Sequence, residues 1–337
     1  MFAVMTTARN NSAVECTERE AIGDFLLVPI ALFTVGGLAI FYRSGFVNAD
    51  LDWPVLCLTV AIWLISRAIP IFSFQVAASA LLQLTLIAFS TMVMTYSAAT
   101  VGRPLIDREL LLFDQYIGYE WRAYAGFVAN HPLIARAMKF SYAFIFFMPL
   151  IVIVALSATK NVRALEKFLL AGLISLLLTI GVFALFPATT AWTYLQLADA
   201  EVSAFHHLPL SSEDWIGKLI QIRQGGAATL QKLDGNGLIA FPSFHCTAAL
   251  LFVWSTWTIW WFRAPMVIIS LALLVATPIF GGHYISDLIA GAVVMVISIG
   301  VTERLYALML DLKMPRVPTG EAGRHFWRTN VQSRSVW

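Results

Sequence analysis

Long apolar runs separated by polar stretches dominate the pattern of this chain. Eight runs approach the length of about 20 residues that crosses the hydrocarbon core of a bilayer as a helix. Every backbone polar group in lipid must be satisfied within the chain, so we expect the runs to be helices. The run at 54–72 carries Arg67 and Pro70, and a short or re-entrant segment is the alternative there. The eight runs are residues 25–42, 54–72, 75–98, 140–158, 165–186, 243–262, 265–281 and 284–308.

From these runs and the polar segments between them we expect an all-α, polytopic transmembrane bundle of about eight spans with a six-helix core. Residues 99–139 include an amphipathic stretch, which either lies along the membrane interface or forms an extramembrane helix pair packed on the bundle. The glycines of 187–242 predict turns beside a helix. The expected divisions are a cytoplasmic tail at 1–24, accessory helices at 25–98, a core at 99–308 with extracytoplasmic segments at 99–139 and 187–242, and a basic cytoplasmic tail at 309–337.

Composition agrees with a membrane protein. The chain is 59% hydrophobic and 12% charged, whereas a soluble domain is nearer half apolar and a quarter charged. This excludes an ordinary cytosolic enzyme, a disordered chain and a nucleic-acid-binding module. With 22 basic and 20 acidic residues, no strong global field steers a partner. The polar first 24 residues lack the features of a secretory signal, so we expect the first apolar run to be a retained anchor.

Basic residues in the short loops and tails predict the orientation, because such residues favour the cytoplasm. Lys160, Arg163, Arg263 and the C-terminal tail all fall inside in an eight-span arrangement. The start of the sixth run and the link between the seventh and eighth then face the extracytoplasmic side. Basic residues in the first long polar segment count against this arrangement, namely Arg103, Arg108, Arg122, Arg136 and Lys139.

One string places ionisable residues where the last apolar run begins. It reads Gly281-Gly282-His283-Tyr284-Ile285-Ser286-Asp287. His283 and Asp287 are four positions apart and would share one face of a helix. The carboxylate can then fix the imidazole tautomer and leave the other nitrogen free to attack an electrophile. Gly281 and Gly282 remove side chains, so that backbone or a phosphate can come close.

A second string, Phe241-Pro242-Ser243-Phe244-His245-Cys246, begins the sixth run. Pro242 is favourable in a first helical turn, and Ser243 can cap it. The exposed N–H groups of a helix start favour an anion, and His245 would lie beside it. If the two helices are neighbours, one histidine could act as nucleophile and the other as proton donor to a phosphate ester. The basic candidates for the phosphate are Arg223 and Lys232.

Three other interpretations of the same residues stay open. The histidines could be interfacial or packing residues without catalytic function. His245, His283 and Asp287 could bind a metal ion, although further ligands at helical spacing are scarce. The bundle could also bind or transport a lipid phosphate without reacting with it. The interpretation that we favour requires no metal and no cofactor.

These strings resemble the type 2 phosphatidic acid phosphatase superfamily. Its signature has a part ending in Arg-Pro, a Pro-Ser-Gly-His part, and a Ser-Arg…His-x-x-x-Asp part. Pro242-Ser243-Phe244-His245 matches the second part with Phe244 in place of Gly, and His283 and Asp287 match the last. Phe-Pro-Ser-Phe-His followed by Gly-Gly-His-Tyr-x-x-Asp is similar to the branch of inositol phosphorylceramide synthases and their bacterial relatives.

The resemblance implies roles for these residues. His283 would form a phosphohistidine, Asp287 would orient it and stabilise its charge, and His245 would protonate the leaving alcohol and then activate the acceptor. Ser243 and the backbone near it would hold phosphate oxygens, and Gly282 would let the phosphate approach. The chain departs from the signature because Ala276-Thr277 replaces Ser-Arg. We expect Arg223 to supply the missing charge, with Lys232 and Arg103 behind it.

The resemblance therefore implies a lipid phosphotransferase whose substrate is a phospholipid or another lipid phosphate. A phosphatase that acts on phosphatidic acid or a polyprenyl pyrophosphate, with water as acceptor, is the alternative. The sequence gives no information on oligomeric state.

Overall fold

A computed structural model describes residues 26–46, 53–195, 219–225 and 238–313, and within these ranges the chain contains helices and connections but no strand. Residues 219–223 are also helical. The helices with described boundaries are α1 (Leu26–Arg43), α2 (Trp53–Ala68), α3 (Phe72–Ala99), α4 (Asp107–Tyr116), α5 (Trp121–Ala129), α6 (Pro132–Ala143), α7 (Met148–Ala158), α8 (Val162–Leu185), α9 (Ala191–Leu195), α10 (Phe244–Thr256), α11 (Arg263–Phe280) and α12 (Ile285–Lys313).

Each of the eight predicted apolar runs contains a helix. In the described part of the chain, α1, α3, α8, α11 and α12 are long and apolar enough to cross a membrane. Helices α6 and α7 form a sixth such element only as a pair bent by 57°. Helices α2 and α10 are apolar but shorter than a full span. The protein is therefore an all-α, polytopic integral membrane protein, as the sequence predicts.

The bend between α6 and α7 interrupts the run predicted as one span at 140–158. Helix α6 ends at Ala143, a 3₁₀ turn covers Phe144–Phe146, and α7 begins at Met148. Pro149 lies in the first turn of α7, where its missing N–H leaves no helical hydrogen bond unmade. The last residues of α6, including Tyr142, consequently lie at a change of direction in the bundle.

Helix α10 lies at the centre of the core and contacts α7, α8, α11 and α12. Gly291 permits its close approach to α12, since a Cβ there would lie 3.1 Å from Cys246 Cβ and would collide with the Ser243 carbonyl. The Thr247 hydroxyl also donates to the Gly291 carbonyl at 2.8 Å. These contacts hold the beginnings of α10 and α12 side by side.

The polar segment 99–139 folds onto the end of the bundle where α10 and α12 begin. It forms α4, α5 and the start of α6, and α4 contacts both α12 and α9. The indole N–H of Trp121 donates to the Pro278 carbonyl at 3.0 Å. Trp121 belongs to one buried apolar cluster with Trp192 and Tyr284. The segment thus forms helices packed on the bundle, and its position relative to the membrane interface stays a prediction.

Candidate active site

His283 lies in the tight turn that joins α11 to α12. Gly282 in this turn has φ +69°, a conformation that favours glycine. A Cβ at Gly282 would also lie 2.7 Å from both Thr190 Cβ and Trp192 Cη2. The Gly282 carbonyl accepts a hydrogen bond from Ala191 N at 2.8 Å. Packing against α9 and the connection before it therefore requires glycine here, and a contact of Gly282 with phosphate stays a prediction.

The predicted contact between His283 and Asp287 is present. Imidazole Nδ1 lies 3.1 Å from Asp287 Oδ2, and the same oxygen accepts the Tyr284 N–H at 2.9 Å. His283 precedes the first residue of α12, so the turn and not a shared helical face brings the two side chains together. A proton on Nδ1 that is donated to the carboxylate leaves the Nε2 lone pair free.

Burial determines the protonation state of this imidazole. His283 is 2% exposed, and removal from water lowers its pKa below the usual 6.5. A hydrogen bond with the backbone of Ala240 raises the pKa, but it is the smaller effect. His283 is consequently neutral at neutral pH, which is the state with a nucleophilic nitrogen.

His245 occupies the first turn of α10 and faces His283. The two ring centroids are 5.5 Å apart, with the ring planes 65° to each other. Tyr142 stacks on His245, at 4.8 Å between centroids and 22° between planes. The structure thus brings together the two histidines that the sequence singled out, thirty-eight positions apart in the chain.

Ser243 is the N-cap of α10, as predicted, whereas Pro242 precedes the cap and does not lie in the first turn. The Ser243 hydroxyl accepts from Cys246 N at 3.4 Å, and Ser243 N donates to the Asp287 carbonyl at 3.0 Å. The start of α10 is thereby joined directly to the first turn of α12. A hydrogen bond from Ser243 to a substrate phosphate stays a prediction.

Two buried aspartates of α4 accept hydrogen bonds from the residues that follow His283 and from Thr189. Asp114 accepts the N–H groups of Ile285 and Ser286, each at 2.8 Å, at the start of α12. Asp107 accepts from Thr189 N at 3.0 Å, from the Thr189 hydroxyl at 2.7 Å, and from the Tyr284 hydroxyl at 3.2 Å. Burial raises the pKa of both carboxyls, and these hydrogen bonds act in the opposite direction.

The sequence analysis missed Asp107 and Asp114. A usable signal was present, because residues seven apart on a helix lie on the same face, and two acidic residues at that spacing mark one polar face of α4. The partners at 189 and at 284–286 could not be read from local patterns, since they are remote in the chain.

Replacement of Asp114 with alanine should destabilise the protein and slow turnover together. Two buried N–H groups would lose their acceptor, at about 2–4 kcal/mol of unfolding free energy, and the turn carrying His283 would loosen. Thermal unfolding in detergent and lipid turnover measure the two effects. Asparagine at 114 should restore part of both, and Glu109→Ala on the exposed side of α4 is the control. An Asp114→Ala protein with native stability and rate would contradict this role.

Of the three basic residues predicted to compensate the phosphate charge, Arg103 and Arg223 lie in described parts of the chain. Arg223 Nη2 donates to the Arg103 carbonyl at 2.5 Å, in the connection before α4. That connection is joined to the one after α8, because Ile106 N donates to the Pro187 carbonyl at 3.0 Å. Lys232 lies outside the described residues. The part of the chain that the structure describes holds no group of three or more His, Cys, Asp or Glu arranged to bind a metal ion.

A buried imidazole held by a carboxylate, with a second imidazole facing it, forms a candidate histidine-based nucleophilic site at one end of a membrane bundle. A family model described as PAP2 superfamily matches residues 108–301, a range that includes His245, His283 and Asp287. The chain belongs to the PAP2 superfamily. It is accordingly an enzyme of the phosphatase or phosphotransferase type that acts on lipid phosphates. No curated protein and no solved structure matches the chain.

Proposed function

We propose that this protein is an integral membrane lipid phosphotransferase that works through a phosphohistidine and resembles inositol phosphorylceramide synthases. One observation carries the proposal. The His245 and His283 rings face each other at 5.5 Å between centroids, with His283 Nδ1 held by Asp287. A phosphorus atom between the rings would meet a nucleophile on one side and a proton donor on the other.

The first half-reaction forms the bond between His283 Nε2 and phosphorus. The bond from phosphorus to the leaving oxygen breaks, and protonated His245 gives its proton to that oxygen, releasing an alcohol. The Asp287 carboxylate offsets the positive charge that develops on the His283 ring. In the second half-reaction an acceptor hydroxyl gives its proton to His245 and attacks phosphorus. The nitrogen–phosphorus bond then breaks and His283 returns to its neutral form.

The charges around the site favour a phosphodiester substrate. Among the described residues, the carboxylates of Asp107, Asp114 and Asp287 form no ion pair with a lysine or an arginine. A phosphodiester carries one negative charge, while a phosphomonoester approaches two at neutral pH and would be repelled more strongly. Transfer of a diester head group to a hydroxylated lipid is therefore the proposed reaction. Arg223, Arg103 and Lys232 are our candidates for the remaining charge compensation.

We place the site on the extracytoplasmic side of the membrane. Helices α8 and α11 both end near the site, so their first residues lie at the opposite end of the bundle. Lys160 and Arg163 adjoin the start of α8, and Arg263 begins α11. Basic residues in short connections favour the cytoplasm, which supports this placement.

Product analysis on radiolabelled lipids tests the proposed function. Purified protein would be given phosphatidylinositol plus ceramide, phosphatidic acid, or a polyprenyl pyrophosphate, and acid quenching would be avoided so that phosphohistidine survives. We expect a labelled lipid product, with acid-labile label on the protein that His283→Ala abolishes. His131→Gln, at an exposed histidine remote from the site, is the control.

The possible results separate the alternatives. Free phosphate from phosphatidic acid or the polyprenyl pyrophosphate, with no labelled lipid product from phosphatidylinositol plus ceramide, would support a phosphatase and overturn the transferase proposal. Absence of product and of protein-bound label would leave a lipid-binding bundle as the better description. Activity that a chelator removes would instead favour the metal-site interpretation.

A further inference from the structure

Tyr142 stacks on His245 without belonging to either predicted string. It is the penultimate residue of α6, beside the bend to α7. Its ring covers one face of His245, and it also lies 6.3 Å from the Phe280 ring at the end of α11. The bent helix pair thus contributes a side chain to the site through Tyr142.

The hydroxyl of Tyr142 has no hydrogen-bond acceptor among the described residues. By contrast, the Tyr124 hydroxyl donates to the Val275 carbonyl at 2.8 Å. A Cβ placed on Gly281 would lie 3.2 Å from the Tyr142 hydroxyl and 2.7 Å from His283 Cδ2. The absence of a side chain at Gly281 therefore lets the phenol oxygen and the edge of the His283 ring lie close to each other, beside the Thr277 carbonyl oxygen, which would be 2.9 Å from the same Cβ.

We propose that Tyr142 binds the phosphoryl group and positions His245. Its hydroxyl donates a hydrogen bond to a non-bridging oxygen of a phosphoryl group held between the two histidines, and its ring fixes the plane of the His245 imidazole. This assignment rests on the proposed function, since it requires a phosphorus atom between the two histidines. It also adds a neutral donor to a site whose described carboxylates have no lysine or arginine partner.

Each part of the side chain has a separate effect. A hydrogen bond to a charged oxygen strengthens as negative charge builds up in the transition state, so the hydroxyl should affect kcat as well as binding. The ring face attracts a protonated imidazole more strongly than a neutral one, so it favours the proton-donating form of His245. Phenylalanine at 142 removes the first effect and retains the second, and leucine removes both.

Orthovanadate binding tests the assignment without knowledge of the lipid, because vanadate forms a five-coordinate adduct that mimics phosphoryl transfer. Its affinity would be measured by thermal shift on the wild type, Tyr142→Phe, Tyr142→Leu and His283→Ala. We expect about 10- to 100-fold weaker binding in Tyr142→Phe, together with a similar loss of kcat on phosphatidylinositol plus ceramide. Tyr142→Leu should also shift the alkaline side of the pH–rate profile to lower pH.

Tyr124→Phe is the matched control, since it removes a phenol hydroxyl bound only to backbone. It should lower the unfolding temperature without changing vanadate affinity or the pH profile. Vanadate binding that depends on His283 but is unchanged in Tyr142→Phe would overturn the role of the hydroxyl alone. Absence of His283-dependent vanadate binding in the wild type would contradict the proposed function, and this assignment with it.

Discussion

Replacing His245 with glutamine is expected to slow lipid turnover by about 10²- to 10⁴-fold, the usual contribution of a positioned acid–base group. Glutamine approximates the size of histidine and can hydrogen bond, but it does not exchange protons near neutral pH. The leaving lipid alkoxide is strongly basic and needs a proton as its bond to phosphorus breaks. The same residue must later remove a proton from the acceptor, so both half-reactions should be affected.

The identity of the leaving group separates proton donation from a general disturbance of the site. A nitrophenyl phosphodiester releases a weakly basic phenolate, which departs without a proton. His245→Gln should therefore release about one equivalent of nitrophenolate in a burst and then turn over slowly, because the second half-reaction still lacks its base. His131→Gln should behave as the wild type does. Equal losses on the lipid and the nitrophenyl ester, without a burst, would contradict acid–base function at His245.

The helical architecture was predictable because it depends on the local pattern of apolar residues. Runs of apolar residues identify spans when lipid excludes any other backbone arrangement. The details that depend on contacts between distant residues were not predictable. The apolar runs at 140–158 and 243–262 did not indicate the break at the 3₁₀ turn between α6 and α7, or the end of α10 at Thr256.

The pair of histidines was predictable for a different reason. Each lies at the start of an apolar helix, where an ionisable group is conspicuous against its surroundings. Their meeting depends on Gly291, whose missing side chain lets α12 approach the start of α10. Asp107, Asp114 and Tyr142 escaped notice because their partners are far away in the chain, and no spacing within α4 or α6 identifies those partners.

The aspartates near the site already accept hydrogen bonds from several backbone N–H groups, which affects where a phosphate can bind. In the described part of the chain, the amide N–H groups of Tyr284, Ile285 and Ser286 are all bound by carboxylates of Asp287 and Asp114. An anion therefore finds these three donors already occupied. We expect a phosphate to be bound by the start of α10, the two imidazoles and the Tyr142 hydroxyl, with the basic candidates, and the negative charge of Asp287 to act on it through His283.

Asp287→Asn should separate the charge of that carboxylate from its hydrogen bonds. Oδ2 accepts both the His283 and the Tyr284 hydrogen bonds, while Oδ1 has no partner among the described residues. An asparagine can place its carbonyl oxygen at the position of Oδ2 and its amide at the position of Oδ1. The fold should persist, with about 1–2 kcal/mol lost for the buried amide.

The rate of phosphoenzyme formation should nevertheless fall by about 10²- to 10⁴-fold in Asp287→Asn, because a neutral amide cannot offset the charge that develops on His283. Rapid quench under alkaline conditions measures that rate, and thermal unfolding measures the fold. Glu303→Gln, at a surface ion pair with Lys167, is the control for loss of a carboxylate charge elsewhere. If Asp287→Asn were phosphorylated at the wild-type rate, the carboxylate would serve only to cap the turn, and stabilisation of the reacting imidazole would have to come from another group.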